Sequence, residues 1–197
     1  LDAYFGATKI RWVLQNVPRA RELLAQHRLA AGTTDAWMIW KLTNGNEFVT
    51  DCVTAGRTCL MNLERREWDE QLLSILEIPR EILPEIRENA GSFGKTSPDT
   101  FLDTEIPITA SIVDQQAALL GQACCTPGSV KTTYGTGCFM LMNTGSRPIP
   151  AANGLLSTLA WVEAGQVNYA LDGGIYIAGA AVQWLRDGLG IIQSAAQ

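Results

Sequence analysis

Histidine is almost absent from this 197-residue sequence, in which His27 is the single example. A Ser-His or Cys-His nucleophile requires an imidazole, so this chemistry is not expected. The five cysteines are odd in number and irregularly spaced, and no two of them form a C-x-x-C pair. We therefore expect no His/Cys metal site, but reduced and mostly buried thiols in a cytoplasmic protein. Acid/base chemistry is left to a carboxylate, a lysine or a tyrosine.

Long apolar runs and charged patches are also absent. No apolar run reaches the roughly 18 residues that a membrane-spanning helix needs. The net charge of −5 is spread along the sequence without a basic patch or a charged tail. These absences argue against membrane insertion and against nucleic acid as a partner. The first residues (LDAY) lack a Met and a signal-peptide pattern, which indicates a fragment of a longer protein.

Helical signals dominate the first 45 residues. Apolar residues recur at intervals of three and four from Ile10 to Val17, which predicts a helix with one buried face. Pro18 is predicted to begin a second helix, and Thr34 or Asp35 to cap a third. The six tryptophans of the sequence are interpreted mostly as core residues, or at most as the walls of a pocket.

The pattern changes after about residue 104. Residues 106–113 (IPITASIV) predict a short buried strand, and residues 114–122 predict a helix that follows it directly. Residues 130–134 and 138–143 predict two strands of a hairpin around a Gly-Thr-Gly turn.

The rest of the sequence predicts two more strands, a turn at Gly173-Gly174 and a helix from about residue 176. Pro and Gly separate a helix from a new sheet near residue 127. We place a domain boundary there, which divides the sequence into domains of residues 1–125 and 126–197.

Asp114 is the first candidate for chemistry. It follows the predicted strand directly, and ligands of α/β folds bind at the carboxyl edge of the sheet. The same position suits a helix cap, whose carboxylate accepts from amides two or three residues on. Position alone leaves both interpretations open. Gln115 and Gln116 suit a polyol, whose hydroxyls donate and accept hydrogen bonds, although polar residues are also common in a first helical turn.

Two glycine-bearing segments are candidates for binding phosphate or a nucleotide. The sequence Gly135-Thr136-Gly137 allows backbone N–H groups to approach a phosphate, or else forms a tight hairpin turn with glycine at positive φ. It is neither a Walker A motif nor a dinucleotide fingerprint. Gly179 and Gln183 lie one helical turn apart, so a flat ligand or another backbone can approach that face. Simple helix packing is the alternative.

Longer stretches resemble the FGGY carbohydrate kinases. The resemblance is most specific in residues 134–145 (YGTGCFMLMNTG), with further matches at residues 114–118 and 153–158, and it runs through essentially the whole sequence. It implies an α/β fold with an actin-like, ribonuclease-H-like pair of domains around a cleft. Residues 1–125 would be the later part of the first, substrate domain. Residues 126–197 would begin the second, nucleotide-binding domain.

The resemblance also implies the chemistry, which is ATP-dependent phosphorylation of glycerol with Mg²⁺ as a cofactor. The implied site residues are Asp114 as general base, Tyr4, Gln115 and Phe139 beside it at glycerol, and Thr136, Gly179 and Gln183 at the nucleotide. Glycerol and ATP are the expected partners, and a homo-oligomer is compatible with the resemblance. The alternatives are an FGGY kinase for another polyol or a ketose, and a non-catalytic sugar-binding homologue.

Several positions depart from the family's pattern. Val113 stands where the family usually has Gly, and Ala3 stands where it has Pro. Glu105 stands where bacterial members often carry an Arg for an inhibitory sugar bisphosphate. A carboxylate repels phosphate, so we expect weak or no inhibition of this kind. The family's first phosphate loop, an Arg-Glu pair and much of the adenine pocket are missing, so the 197 residues alone are expected to be inactive.

Overall fold

The computed structural model describes residues 3–197, which divide into two compact units. The first unit extends to Val113 and includes residues 161–166, and the second contains residues 114–160 and 167–197. Each unit has fully buried apolar residues of its own. The domain boundary at residue 125 that we infer from the sequence stays a prediction.

Helices form the start of the first unit, as the sequence predicts. They are α1 (Gly6–Asn16), α2 (Pro18–Ala25) and α3 (Thr34–Leu42). Pro18 occupies the first position of α2, where no intrahelical N–H donor is needed. The predicted cap of α3 at Thr34 or Asp35 is wrong, because the N-cap is Thr33 and it makes no side-chain cap bond. Asp35 instead accepts a hydrogen bond from Thr50 Oγ1 at 2.6 Å.

Short elements complete the first unit. They are β1 (Val49–Asp51), α4 (Cys52–Gly56), β2 (Met61–Asn62), β3 (Glu67–Trp68), α5 (Glu70–Leu76), a 3-10 turn (Arg80–Ile82) and β4 (Glu85–Arg87). β1 pairs in parallel with β4, and β2 pairs antiparallel with β3. Asp51 and Asp69 cap α4 and α5, because each carboxylate accepts from the N–H groups two and three residues on.

The Asp51 carboxylate is the centre of a buried polar cluster in the first unit. It accepts from Thr54 Oγ1 at 2.7 Å, from Asn89 Nδ2 at 2.9 Å and from Ser111 Oγ at 2.9 Å. Burial raises the pKa of Asp51, and its hydrogen bonds oppose that shift. The cluster ties three separate stretches of the chain together.

The tryptophans are more exposed than the sequence analysis predicts. Trp68 is buried, and its Nε1 donates to Pro84 O at 2.8 Å. Four other tryptophan side chains expose much of their surface to solvent, namely Trp12, Trp37, Trp40 and Trp184. The interpretation of the tryptophans as mostly core residues is therefore wrong. A large ring can pack on one side and stay open on the other, as Trp40 does against Phe48 at a centroid distance of 5.9 Å.

The five cysteines all carry free thiols. Cys52 and Cys124 are buried, whereas Cys125 is exposed. Burial raises the pKa of Cys52 to about 12, and its Sγ donates to Asn89 Oδ1 at 3.4 Å. This thiol is therefore unreactive at neutral pH. Within residues 3–197, no helix is both long enough and apolar enough to cross a membrane.

A four-stranded antiparallel sheet and two helices form most of the second unit. The elements are α6 (Asp114–Gly121), β5 (Val130–Tyr134), β6 (Cys138–Gly145), β7 (Leu156–Glu163), β8 (Gln166–Ile175) and α7 (Gly179–Asp187). The strand order is β5-β6-β8-β7, and residues 161–166 at the end of the β7–β8 hairpin are grouped with the first unit. The predicted β5–β6 hairpin is confirmed.

Two predicted elements are wrong. Residues 106–113 form no strand, because this partly exposed segment makes only isolated bridges such as Lys95–Pro107. Pro107 has no N–H to donate to a ladder of hydrogen bonds. Gly173 and Gly174 lie within β8 rather than in a turn.

Candidate active site

Asp114 is the first residue of α6 and is exposed. Its Oδ1 accepts from Gln115 N at 2.8 Å, and its Oδ2 lies 3.4 Å from Gln115 Nε2. Neither oxygen accepts from the N–H groups two or three residues on, so the helix-cap bonds predicted as an alternative are not formed. No strand immediately precedes Asp114 in the described chain, so Asp114 does not follow the carboxyl end of a strand as predicted.

Lys131 also belongs to this region, although no pattern in the sequence indicates it. It lies in β5 and is only 4% exposed, and its Nζ donates to Gln115 Oε1 and to Thr133 Oγ1. Lys131 is opposite Leu141 in the β5–β6 pair, and Leu141 is opposite Asp172 in the β6–β8 pair. Directly opposite residues have side chains on one face of a sheet, so all three share a face.

The charges around Lys131 act in opposite directions. Burial lowers the pKa of Lys131, whereas the carboxylates of Asp114 and Asp172 act to raise it. The fold therefore places the Gln115 side chain between a buried cation and the Asp114 carboxylate. Alternation along β5 places Lys131 on one face with Thr133, but its pairing with Leu141 comes from the register of the folded sheet.

Gly135, Thr136 and Gly137 connect β5 to β6. None of the three has a positive φ, so the predicted turn with glycine at positive φ is wrong. Gly137 is required by packing, because a Cβ at this position would lie 2.8 Å from Ile175 O. Gly135 N donates to Gly137 O at 2.8 Å, whereas the N–H groups of Thr136 and Gly137 donate to no acceptor within residues 3–197.

Helix α7 begins against this loop. Ala178 N and Ala180 N donate to Thr136 O at 2.8 and 3.2 Å, and Gly179 N donates to Gly135 O at 3.0 Å. A Cβ on Gly179 would lie 2.5 Å from Gly135 O, so no side chain fits there. The loop backbone is therefore what approaches Gly179. The structure thus brings together Thr136 and Gly179, two of the predicted site residues.

Phe139 lies on β6 opposite Thr133, which places its half-buried ring on the sheet face of Lys131. The ring meets Tyr176 edge-on at a centroid distance of 6.3 Å. Added Cβ atoms at Gly137 and Gly174 would lie 2.9 and 3.0 Å from it. These two glycines therefore make the space that the ring occupies.

Gln183 and Tyr4 complete the predicted set. Gln183 is exposed on α7. A hydrogen bond from Arg186 chiefly lowers the pKa of Asp187, and the Gln183 side chain contributes to the same shift. Tyr4 belongs to the first unit, where its exposed ring packs edge-on to Phe5 at 5.3 Å. The other predicted residues all belong to the second unit.

The sequence matches the models of both domains of one family. Residues 1–121 match the N-terminal domain of the FGGY family of carbohydrate kinases, and residues 130–197 match the C-terminal domain. The chain belongs to the FGGY family of carbohydrate kinases. A glycerol kinase from Halorhodospira halophila is 55% identical over 195 residues, which are 99% of this chain and 38% of that protein.

Solved structures of FGGY kinases have the same fold. The crystal structure of Plasmodium falciparum glycerol kinase with ADP matches with a TM-score of 0.90 and 36% identity, over 99% of this chain and 39% of that one. A xylulose kinase from Rhodospirillum rubrum matches with a TM-score of 0.77 and 20% identity, over 98% of this chain and 38% of its own. The predicted α/β fold of the actin-like, ribonuclease-H-like kinases is confirmed. The chain spans about two-fifths of the length of these relatives.

Proposed function

We propose that the protein carrying this chain catalyses the ATP-dependent phosphorylation of glycerol. The 55% identity to a glycerol kinase over nearly the whole chain supports this substrate, and the similarity to a glycerol kinase with ADP supports ATP as phosphate donor. The observation that carries the proposal is the state of Asp114. It is an exposed carboxylate at the start of a helix that it does not cap, beside the Gln115 amide.

In the proposed mechanism, Asp114 is the general base. It accepts the proton of a terminal hydroxyl while the hydroxyl oxygen attacks the γ-phosphorus of ATP and the bond to the leaving ADP breaks. Gln115 can donate to one hydroxyl and accept from another, so it suits a polyol. The ring of Phe139 provides an apolar wall for the carbon side of glycerol. Tyr4, in the first unit, stays a predicted glycerol contact.

The loop between β5 and β6 is the proposed phosphate side of the site. The N–H groups of Thr136 and Gly137 have no acceptor within residues 3–197, so they are available to an anion such as a phosphate. Gly179 and Gln183 are the proposed nucleotide contacts on α7. Mg²⁺ would neutralise the charge of the ATP phosphates, and it would be held chiefly by those phosphates.

Substrate profiling of a full-length protein that carries this sequence tests the proposal. ADP formation is measured with glycerol, xylulose and gluconate as acceptors, each over a range of concentrations. We expect kcat/KM for glycerol to exceed the other values by about 100-fold. Xylulose and gluconate carry further polar groups, and a site built for glycerol leaves these groups without hydrogen-bond partners. Faster turnover of xylulose or gluconate would identify another FGGY kinase. No turnover with any acceptor would indicate a sugar-binding homologue.

A further inference from the structure

Lys131 is a buried cation in contact with the proposed glycerol site, and the family resemblance gives it no role. We propose that Lys131 is a positioning residue, which holds the Gln115 amide in the orientation that presents its NH₂ group to Asp114. The proposal rests on the proposed function, because it concerns the residues beside the proposed base.

The orientation follows from the chemistry of the two side chains. An ammonium group has donors only, so the Gln115 atom that faces Lys131 Nζ must be the carbonyl oxygen Oε1. The amide nitrogen Nε2 then points away from the lysine and lies 3.4 Å from Asp114 Oδ2. A glutamine amide without such a neighbour can turn over and exchange its oxygen and nitrogen. Here a turned amide would place its oxygen against the Asp114 carboxylate and its NH₂ group against the ammonium.

The position of the ammonium group is itself fixed by the sheet. Lys131 is almost fully buried in β5, and a second hydrogen bond of 2.8 Å runs from Nζ to Thr133 Oγ1 on the same face. Both of these acceptors are neutral oxygens. Two neutral oxygens replace only part of the hydration that a buried cation loses. We therefore expect the folded chain to be less stable with Lys131 than with an apolar side chain at this position.

The contacts of Lys131 lead to the proposed base through one side chain. Its Nζ donates to Gln115 Oε1, and Gln115 Nε2 lies 3.4 Å from Asp114 Oδ2. Lys131 therefore acts on Asp114 through the Gln115 amide.

The test is Lys131→Met in a full-length protein, with Lys95→Met as the matched control. Lys95 is an exposed lysine of the first unit, ion-paired with Glu105 at 3.2 Å. We expect Lys131→Met to lower kcat/KM for glycerol by about 10- to 100-fold, as for the loss of a hydrogen bond to a charged group. The KM for ATP stays within about twofold and the Tm is kept or raised, because an apolar side chain replaces a buried ammonium. Lys95→Met is expected to behave like the wild type.

A double-mutant cycle with Gln115→Leu separates positioning from a structural role. If Lys131 acts through Gln115, Lys131→Met lowers the activity of the Gln115→Leu protein by less than about threefold. Fully multiplicative losses, a marked fall in Tm or equal increases in both KM values would overturn the proposal. Wild-type activity of Lys131→Met would also overturn it. In that case the proposed function would still stand, provided that Asp114→Asn is inactive. A wild-type protein without glycerol-dependent turnover would overturn the proposed function itself.

Discussion

Three aspartates begin helices in this chain, and their surroundings separate their roles. Asp51 and Asp69 each accept from two amides of the helix that they begin, so these carboxylates are engaged in holding the fold. Asp114 accepts only from the residue that follows it. Of the three, Asp114 is the carboxylate with an oxygen available to a ligand hydroxyl.

Asp51 makes the stability of the chain depend on pH. Its pKa in the folded chain lies above the ordinary value of 3.8, chiefly because of burial. The folded state therefore binds the proton more readily than the unfolded state. The contribution of Asp51 to stability is fully present below pH 3.8 and is lost as the pH rises through the folded pKa.

Asp51→Asn is expected to remove this pH dependence. An asparagine can keep an oxygen toward the α4 amides and turn its NH₂ group to the hydroxyls of Thr54 and Ser111, which can accept. Urea unfolding of both proteins between pH 3 and pH 7 checks the prediction. The free energy of unfolding of the wild type should fall relative to that of Asp51→Asn as the pH rises. A difference that is constant or grows with pH would contradict it.

The sequence reveals Asp114 and conceals Lys131 for physical reasons. Asp114 lies in a motif that resembles a family pattern, and polar residues at a helix start are recognisable as candidates. The role of Lys131 depends on burial under α6 and on the register between β5 and β6, which pairs it with Leu141. A single lysine in a short strand is usually at the surface, so its burial is visible only in the folded chain.

At the scale of elements, the contact between the Gly-Thr-Gly loop and α7 organises the proposed nucleotide side. Carbonyl oxygens of Gly135 and Thr136 accept from three N–H groups at the start of α7. This contact requires glycine at position 179, because the loop backbone occupies the place of a side chain. The first turn of α7 and the loop therefore hold each other in place.

Gly179→Ala is expected to disturb this contact, with Gly121→Ala as control. The added methyl group would lie 2.5 Å from Gly135 O, whereas nothing lies within 4 Å of a Cβ on Gly121 at the end of α6. In a full-length protein, Gly179→Ala should raise the KM for ATP by about tenfold or more, since small misplacements of binding groups are costly. Steady-state kinetics at saturating glycerol measure this. An unchanged KM for ATP would contradict the account, and Gly121→Ala should match the wild type.

The elements that the sequence predicts correctly are those with a complete local signal. The β5–β6 hairpin has two short strands around a glycine-bearing turn, and α2 has Pro18 at its first position. Residues 106–113 are extended and apolar enough to predict a strand, but a strand also needs a neighbour with free backbone groups. Pairing of this kind is set by the tertiary structure, and Pro107 limits it further.

At the scale of the whole molecule, the chain spans 38% of the Halorhodospira glycerol kinase and divides into two units. Phosphoryl transfer depends on positioning the acceptor and the nucleotide together, with charge neutralised around the γ-phosphate. The proposed base, its glutamine and the loop with two available N–H groups are all in the second unit. The role of Asp114 is therefore tested by measuring the activity of a full-length protein.

The most direct measurement is glycerol-dependent ADP formation by a full-length protein and by its Asp114→Asn variant. Asparagine keeps the shape of the side chain but cannot accept the hydroxyl proton as a carboxylate does. The account predicts that kcat falls by about 10²- to 10⁴-fold, the usual contribution of a general base. The control Asp69→Asn, at a helix cap, should keep the wild-type kcat. An Asp114→Asn protein with a kcat within a few-fold of the wild-type value would contradict the role of Asp114 as the base.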